Sequence, residues 1–250
     1  MQDRHSIEDN MIGRNRLGAW RFHRLCKILT WIGCLVCVLF AGGCSTTQLA
    51  NFRRHAAAED FEWIATQTIS CEKVSNVCGR LYLIRGDACF HLAKTGHGAK
   101  EYYDCAANAY YQGLSLMPAM TDEELHKRYL QNLCESLSYL QDTATDGKET
   151  NHTFRLMETA KDLYQLAPDS ASGRYYLSKG RLLSMGPLIH AGHIADRSMT
   201  CVRLQRTLLG VLSMIETAKN QPPPDWDRFS NKFQRLAFDL GNVLREAGCR

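Results

Sequence analysis

The sequence predicts an all-α protein built from antiparallel helical hairpins, and three observations predict it. Apolar residues recur at helical spacing through most of the chain after residue 51, whereas the alternation typical of strands is almost absent. Only 6 prolines occur in 250 residues, so long helices can form without interruption. Hydrophobic residues make up 45% of the chain, which is enough to bury a core. We expect about eight helices, starting near residues 52, 79, 99, 122, 151, 171, 198 and 226.

The N-terminal residues 1–43 precede this helical pattern and have the composition of a secretory signal. Six basic residues come before residues 28–43, an uncharged stretch of 16 residues that ends in small side chains. This stretch is short for a helix that must cross a bilayer. A basic region followed by a short apolar region is typical of a signal peptide. Because the positive charge is concentrated there, we expect no nucleic-acid partner for the rest of the chain.

The residues that follow the apolar stretch resemble a bacterial lipobox, the site at which a lipoprotein precursor is diacylated and cut. The matching segment is Ala41-Gly42-Gly43-Cys44, although Ala41 stands where leucine is usual. The resemblance implies lipidation of Cys44 by palmitate-type chains, and Ser45 after it implies the periplasmic face of the outer membrane. Residues 44–51 would then form a flexible tether ahead of a helical domain at 52–250. The alternative is an uncleaved anchor in which Cys44 is an ordinary thiol.

Seven cysteines follow Cys44, and their spacing predicts three disulfides in an oxidising compartment. The expected pairs are Cys71 with Cys78, Cys89 with Cys105, and Cys201 with Cys249. The first pair brackets a short segment between two helical patterns. The other two are symmetric about His97 and Asp225, and residues equidistant from the turn of a helical hairpin lie level with one another. Cys134 is left over as a buried thiol. Free thiols in a helical core are the alternative for every pair.

The later helices have the clearest start and stop signals. Thr121 and Glu124 form a capping box ahead of the helix expected near residue 122. Three consecutive prolines, 222–224, must separate the last two helices. One apolar stripe in the final helix contains Phe229, Phe233, Leu236, Leu240 and Leu244.

Two segments resemble the second helix of a tetratricopeptide repeat, in which small and aromatic residues precede a proline. The first contains Ala106, Tyr110, Gly113 and Pro118, and the second contains Leu156, Ala160, Leu163 and Pro168. The resemblance covers roughly residues 79–186 and implies a right-handed superhelix of repeat-like hairpins. The two prolines are 50 residues apart, whereas the repeat has about 34. A plain helical bundle is therefore the alternative.

Motifs that usually identify enzymes are missing from the sequence. No nucleophile elbow, phosphate loop, dinucleotide fingerprint or H-E-x-x-H pair occurs. We therefore expect no enzymatic activity, no cofactor and no metal site. His190 and His193 follow Gly186 and Pro187, which favours a solvated loop over a metal site. Glu135, which with Ser136 faintly resembles the Glu-Ser pair of lytic transglycosylases, is expected to be an exposed helical residue.

These observations together favour a lipid-anchored scaffold that binds another protein of the cell envelope. Stacked helices present a rigid surface that docks a peptide or helix at little ordering cost. The candidate groove residues, placed on the first helices of the repeat-like hairpins, are Tyr82, Arg85, Arg174, Tyr175 and Arg181. The alternative is a helical periplasmic component of a transport system that binds a small apolar ligand. That alternative predicts an enclosed apolar pocket, whereas the scaffold predicts an open face.

Overall fold

A computed structural model describes residues 45–71, 75–96, 99–118, 120–144, 150–190 and 197–249. The chain divides into two units, residues 1–50 and residues 51–250. In the first unit the described residues, 45–50, are helical. The predicted signal at 1–43 and the predicted lipid site at Cys44 lie outside the described residues. Residues 45–51, which we expected to form a flexible tether, are helical because no glycine or proline interrupts residues 45–57.

The second unit confirms the all-α prediction, since its described residues contain helices and turns but no strand. In this unit α1 covers residues 51–57. It is followed by α2 (Phe61–Thr66), α3 (Asn76–Lys94), α4 (Ala99–Leu116), α5 (Glu123–Asp142), α6 (Thr150–Leu166), α7 (Ala171–His190), α8 (Arg197–Asn220) and α9 (Trp226–Glu246). From α3 onward each long helix starts within about three residues of its expected position.

The break between α1 and α2 was not predicted, and it arises from local backbone chemistry. Glu59 has a φ of 56°, in the left-handed region that ends a helix. Asp60 then caps α2, because its side chain accepts a hydrogen bond from the N–H of Trp63 at 3.3 Å. The Asp60 carboxylate also lies 2.9 Å from the Nδ1 atom of His55 in α1. Asp60 thus stabilises the turn through contacts with both α1 and α2.

Consecutive helices pack as antiparallel hairpins, and each helix from α2 onward contacts the next one along the chain. Alternate helices also touch, since α5 contacts α3 and α7, and α7 contacts α9. This is the neighbour pattern of stacked helical hairpins. Both repeat-like segments lie on the second helix of a hairpin, and their inward residues are fully buried. These residues are Ala106 and Tyr110 in α4, and Leu156, Ala160 and Leu163 in α6. The right-handed twist stays a prediction.

Glycines allow α3 and α4 to approach closely. A Cβ atom added at Gly113 would lie 2.8 Å from the Cδ2 atom of Leu83 and 3.1 Å from the carbonyl oxygen of Gly79. A Cβ atom added at Gly86 would lie 2.6 Å from the ring of Tyr110. Larger side chains at these positions would force the two helices apart.

All three predicted disulfides are present. The Cα atoms are 6.0 Å apart for Cys71–Cys78, 5.9 Å for Cys89–Cys105 and 5.5 Å for Cys201–Cys249. The second bond joins α3 to α4, and the third joins α8 to the residues after α9. Cys134 is free and buried, as predicted.

The loop predicted around residue 186 is wrong for the residues that the structure describes there. The backbone of α7 stays helical through Gly186 and Pro187 as far as His190, and His193 lies outside the described residues. Extending an existing helix is inexpensive, and a proline near its end removes only one backbone hydrogen bond. Within the described ranges, no helix combines the length and apolar character needed to cross a membrane.

A candidate binding groove on α5, α7 and α9

An open groove of about 640 Å³ lies between α5, α7 and α9, and we call it the central groove. Its walls combine charged and aromatic side chains. They include Glu135 and Asp142 from α5, Tyr175 and Lys179 from α7, and Lys232, Arg235 and Asp239 from α9. Residues four and seven positions apart share one face of a helix, which is why each helix turns such a row toward the groove. Tyr103 of α4 and Leu183 of α7 also line the groove.

Glu135 joins three helices at the edge of this groove. Its Oε1 atom accepts a hydrogen bond from Lys94 of α3 at 2.5 Å, and its Oε2 atom accepts one from Arg228 of α9. The Glu135 side chain is only 12% exposed, so the prediction of an exposed helical residue is wrong. Burial alone would raise its pKa, but the Lys94 hydrogen bond and the surrounding cations outweigh burial and lower the pKa below 4.5. Glu135 is therefore a charged residue that crosslinks the fold.

Lys232, a cation of the groove, lies beside two aromatic rings. Its ammonium lies 5.0 Å from the centroid of the Phe229 ring and 5.9 Å from that of Tyr175. It forms no salt bridge with any residue in the described ranges. Burial lowers the pKa of Lys232; Glu135 opposes this shift, and the charge of Arg228 adds to it. An ammonium that lies beside aromatic rings, and outside salt-bridge distance of the described carboxylates, can bind an anionic or polar group of a ligand.

Aromatic rings also line the groove. The ring of Tyr103 packs on that of Tyr139 with their centroids 4.1 Å apart. Tyr175 packs against Phe229 at 5.5 Å, and burial followed by the charges of Asp142 and Asp239 raises the pKa of Tyr175 to about 12. The Tyr175 phenol therefore stays neutral, and the aromatic rings can pack against apolar parts of a ligand.

The structure places one of the five predicted groove residues, Tyr175, in the wall of the central groove. Arg174, its neighbour along α7, points elsewhere: it donates to the carbonyl oxygen of Pro168 at 3.2 Å and lies over the ring of Tyr164. Tyr82, Arg85 and Arg181 are not among the residues that line the groove. Adjacent residues of a helix point about 100° apart, and the groove takes in Tyr176 on the other side of Tyr175 rather than Arg174.

Sequence reasoning missed Lys179 and Lys232, although each had a detectable signal. Lys179 lies four residues after Tyr175, on the same face of α7. Lys232 lies beside the apolar stripe of α9, next to the buried Phe233. In both positions a charged residue borders a buried aromatic one, which is typical of the edge of a groove.

The described part of the chain contains no group of three or more histidine, cysteine or acidic residues that could hold a metal ion. Comparison with known proteins found no matching protein-family model, no matching curated protein and no matching solved structure.

Proposed function

We propose that the chain is a lipoprotein of the bacterial outer membrane that acts as a protein-binding scaffold, or assembly adaptor, on the periplasmic side. The central groove is the observation that carries the scaffold function. The lipid anchor and the location rest on the resemblance of residues 41–44 to a lipobox and on the signal-like leader. In this proposal Cys44 holds the helical body on the membrane, and the groove receives a segment of a partner protein.

The size and chemistry of the groove suit a peptide better than a small apolar molecule. Small-ligand sites are mostly apolar and enclose most of the ligand surface. The central groove is open and carries six charged side chains in its wall. Peptide segments present charged side chains, backbone polar groups and apolar side chains together, so they can complement such a wall.

Crosslinks between helices indicate that the binding surface is ordered before a partner binds. The Cys89–Cys105 disulfide joins α3 to α4, and Glu135 links α3 and α9 to α5. A surface that is already ordered loses little conformational entropy when it binds. This favours a docking role over a site that must fold around its ligand.

Photo-crosslinking in intact cells tests the scaffold. A photo-reactive phenylalanine replaces Leu183 in the groove or, as a matched control, Leu209 of α8, which is 65% exposed and outside the groove. We expect a discrete protein adduct from position 183 and none from position 209. Equal adducts at both positions, or none at either, would contradict the scaffold. Ligand-dependent thermal stabilisation by a small apolar compound, without any adduct, would favour the transport component instead.

Mass spectrometry of the native product tests the anchor separately. We expect a chain that begins at an acylated Cys44, and we expect Cys44→Ala to leave an uncleaved precursor. An intact leader with an unmodified Cys44 thiol would contradict the location but leave the groove in place.

A further inference from the structure

A second cleft, of about 810 Å³, lies between α4, α5 and α6, and we call it the outer cleft. It shares no lining residue with the central groove. Its floor is formed by the buried residues Leu130 and Leu133 of α5. Leu114 of α4 and Leu166 of α6 form the two walls. The cleft is thus apolar at its base and bounded by two helices.

An aromatic residue stands exposed at the rim of this cleft. The side chain of Phe154 is 66% exposed, although Leu156 and Leu163 on the same helix are fully buried. Exposed apolar surface beside an apolar depression is typical of an interaction site. Opposite, Tyr111 is held in place because the guanidinium of Arg155 lies 4.4 Å from its ring centroid. Arg155 in turn donates to the Oδ1 atom of Asn108 at 3.3 Å.

Two carboxylates lie along the same rim. Glu158 and Asp162 are one helical turn apart on α6, and both are exposed. Neither forms a salt bridge with a residue in the described ranges. Partial burial, followed by the negative charge of Glu158, raises the pKa of Asp162. The charge of Lys161 opposes this rise. The rim therefore carries two carboxylates without a salt bridge to a cation in the described part of the chain.

We propose that the outer cleft is a second binding site, which holds an amphipathic helix of a partner protein that carries leucine-type side chains and a lysine or arginine. The space between two neighbouring helices accepts the apolar ridge of a third. The apolar residues of the partner lie on Leu130 and Leu133 and against Phe154. Its basic residue lies between Glu158 and Asp162, where two carboxylates one turn apart can share a single cation. This site is independent of the function proposed for the central groove.

Fluorescence anisotropy with a defined probe tests this proposal. The probe is a labelled helical peptide of leucine and lysine with alanine between them, and a second peptide has glutamate in place of lysine. The full-length protein is held in phosphatidylcholine nanodiscs, and the signal from empty nanodiscs is subtracted. The variants are Phe154→Ser and Glu158→Lys, both at exposed positions. The matched control is Phe238→Ser, because Phe238 of α9 is also 66% exposed but does not line the outer cleft.

We expect the lysine peptide to bind the wild-type protein and each cleft variant to weaken its binding about tenfold or more. Phe238→Ser should bind as the wild type does, and the glutamate peptide should bind only weakly. Equal binding of both peptides, no binding of the lysine peptide, or no difference between Phe154→Ser and Phe238→Ser would overturn the proposal. A dimer of the protein that is lost in Phe154→Ser would assign the cleft to a second copy instead, and would overturn it too.

Discussion

Asp225 accepts a hydrogen bond from the backbone N–H of Ala171 at 2.7 Å, so the residue that precedes α9 caps the start of α7. Its second oxygen accepts from the N–H of Ser172 at 3.0 Å and from the hydroxyl of Ser170 at 2.8 Å. The first backbone N–H groups of a helix have no partner within that helix. A carboxylate from a different hairpin accepts from two of them here.

Replacing Asp225 by alanine should destabilise the protein by about 1–2 kcal/mol, because the cap of α7 is lost. Asp227→Ala is the matched control, since Asp227 is an exposed acidic residue two positions later. Urea denaturation followed by circular dichroism measures both variants. An equal effect of the two substitutions would show that the cap contributes nothing specific.

The Glu135→Gln variant should lose about 1–3 kcal/mol of stability at neutral pH, because a charged hydrogen-bond acceptor for Lys94 and Arg228 is removed. The pKa of Glu135 is lowered in the folded state, so its contribution is present above pH 4.5 and is lost as the pH falls through the folded-state value. The difference between wild type and variant should therefore shrink in acid. Denaturation at neutral pH and in steps below pH 4.5 measures this.

The control for that substitution is Glu216→Gln, which removes a pair with Lys219 that is exposed at both residues. Exposed pairs contribute little, so we expect a change below about 1 kcal/mol. If the difference in unfolding free energy between wild type and Glu135→Gln stayed constant with pH, the ionic role of Glu135 would be contradicted.

Two glycine-to-alanine substitutions should change the stability of the protein in opposite directions. Gly86→Ala puts a methyl group 2.6 Å from the ring of Tyr110, and we expect a loss of about 1–3 kcal/mol. Gly241→Ala lies in α9 with nothing within 4 Å of the added Cβ atom. It should gain about 0.5–1 kcal/mol from reduced backbone entropy in the unfolded chain. Thermal melts measure the stability of both variants. If both substitutions stabilised the protein, or both destabilised it, the close approach of α3 and α4 would be refuted.

Removing the Cys89–Cys105 bond by Cys89→Ala together with Cys105→Ala should destabilise the protein by roughly 3 kcal/mol, from the entropy of the loop that the bond closes. Cys134 provides an internal check, because its buried thiol should react with an alkylating reagent only after unfolding. Mass spectrometry of the alkylated peptides measures this. Labelling of Cys89 or Cys105 in the unreduced, unfolded wild type would contradict the pairing.

Local patterns predicted the fold well because helices and turns are determined by nearby residues. The apolar period located α3 to α9, and symmetry about the turns located the two disulfides between helices. The end of α7 departs from the prediction because a long helix that is already formed can extend through a glycine and a proline near its end.

The central groove was harder to predict because its contacts join distant parts of the chain. Arg228 and Glu135 are 93 residues apart, and nothing in the residues around either one indicates the other. Tyr175 could be chosen from its place in a repeat-like hairpin, but which neighbour shares its face depends on the rotation of α7 in the packed structure. The repeat pattern does not specify that rotation.

When each helix of a stack contacts only its neighbours, the stack can unfold stepwise from either end, one helix after another. The ties from α9 to Glu135 and from Asp225 to α7 change that behaviour here. If α9 unfolded alone, Glu135 of α5 would lose its hydrogen bond from Arg228, and the first turn of α7 would lose its cap from Asp225. We therefore expect cooperative melting in one step from α3 to α9, without a stable shortened form.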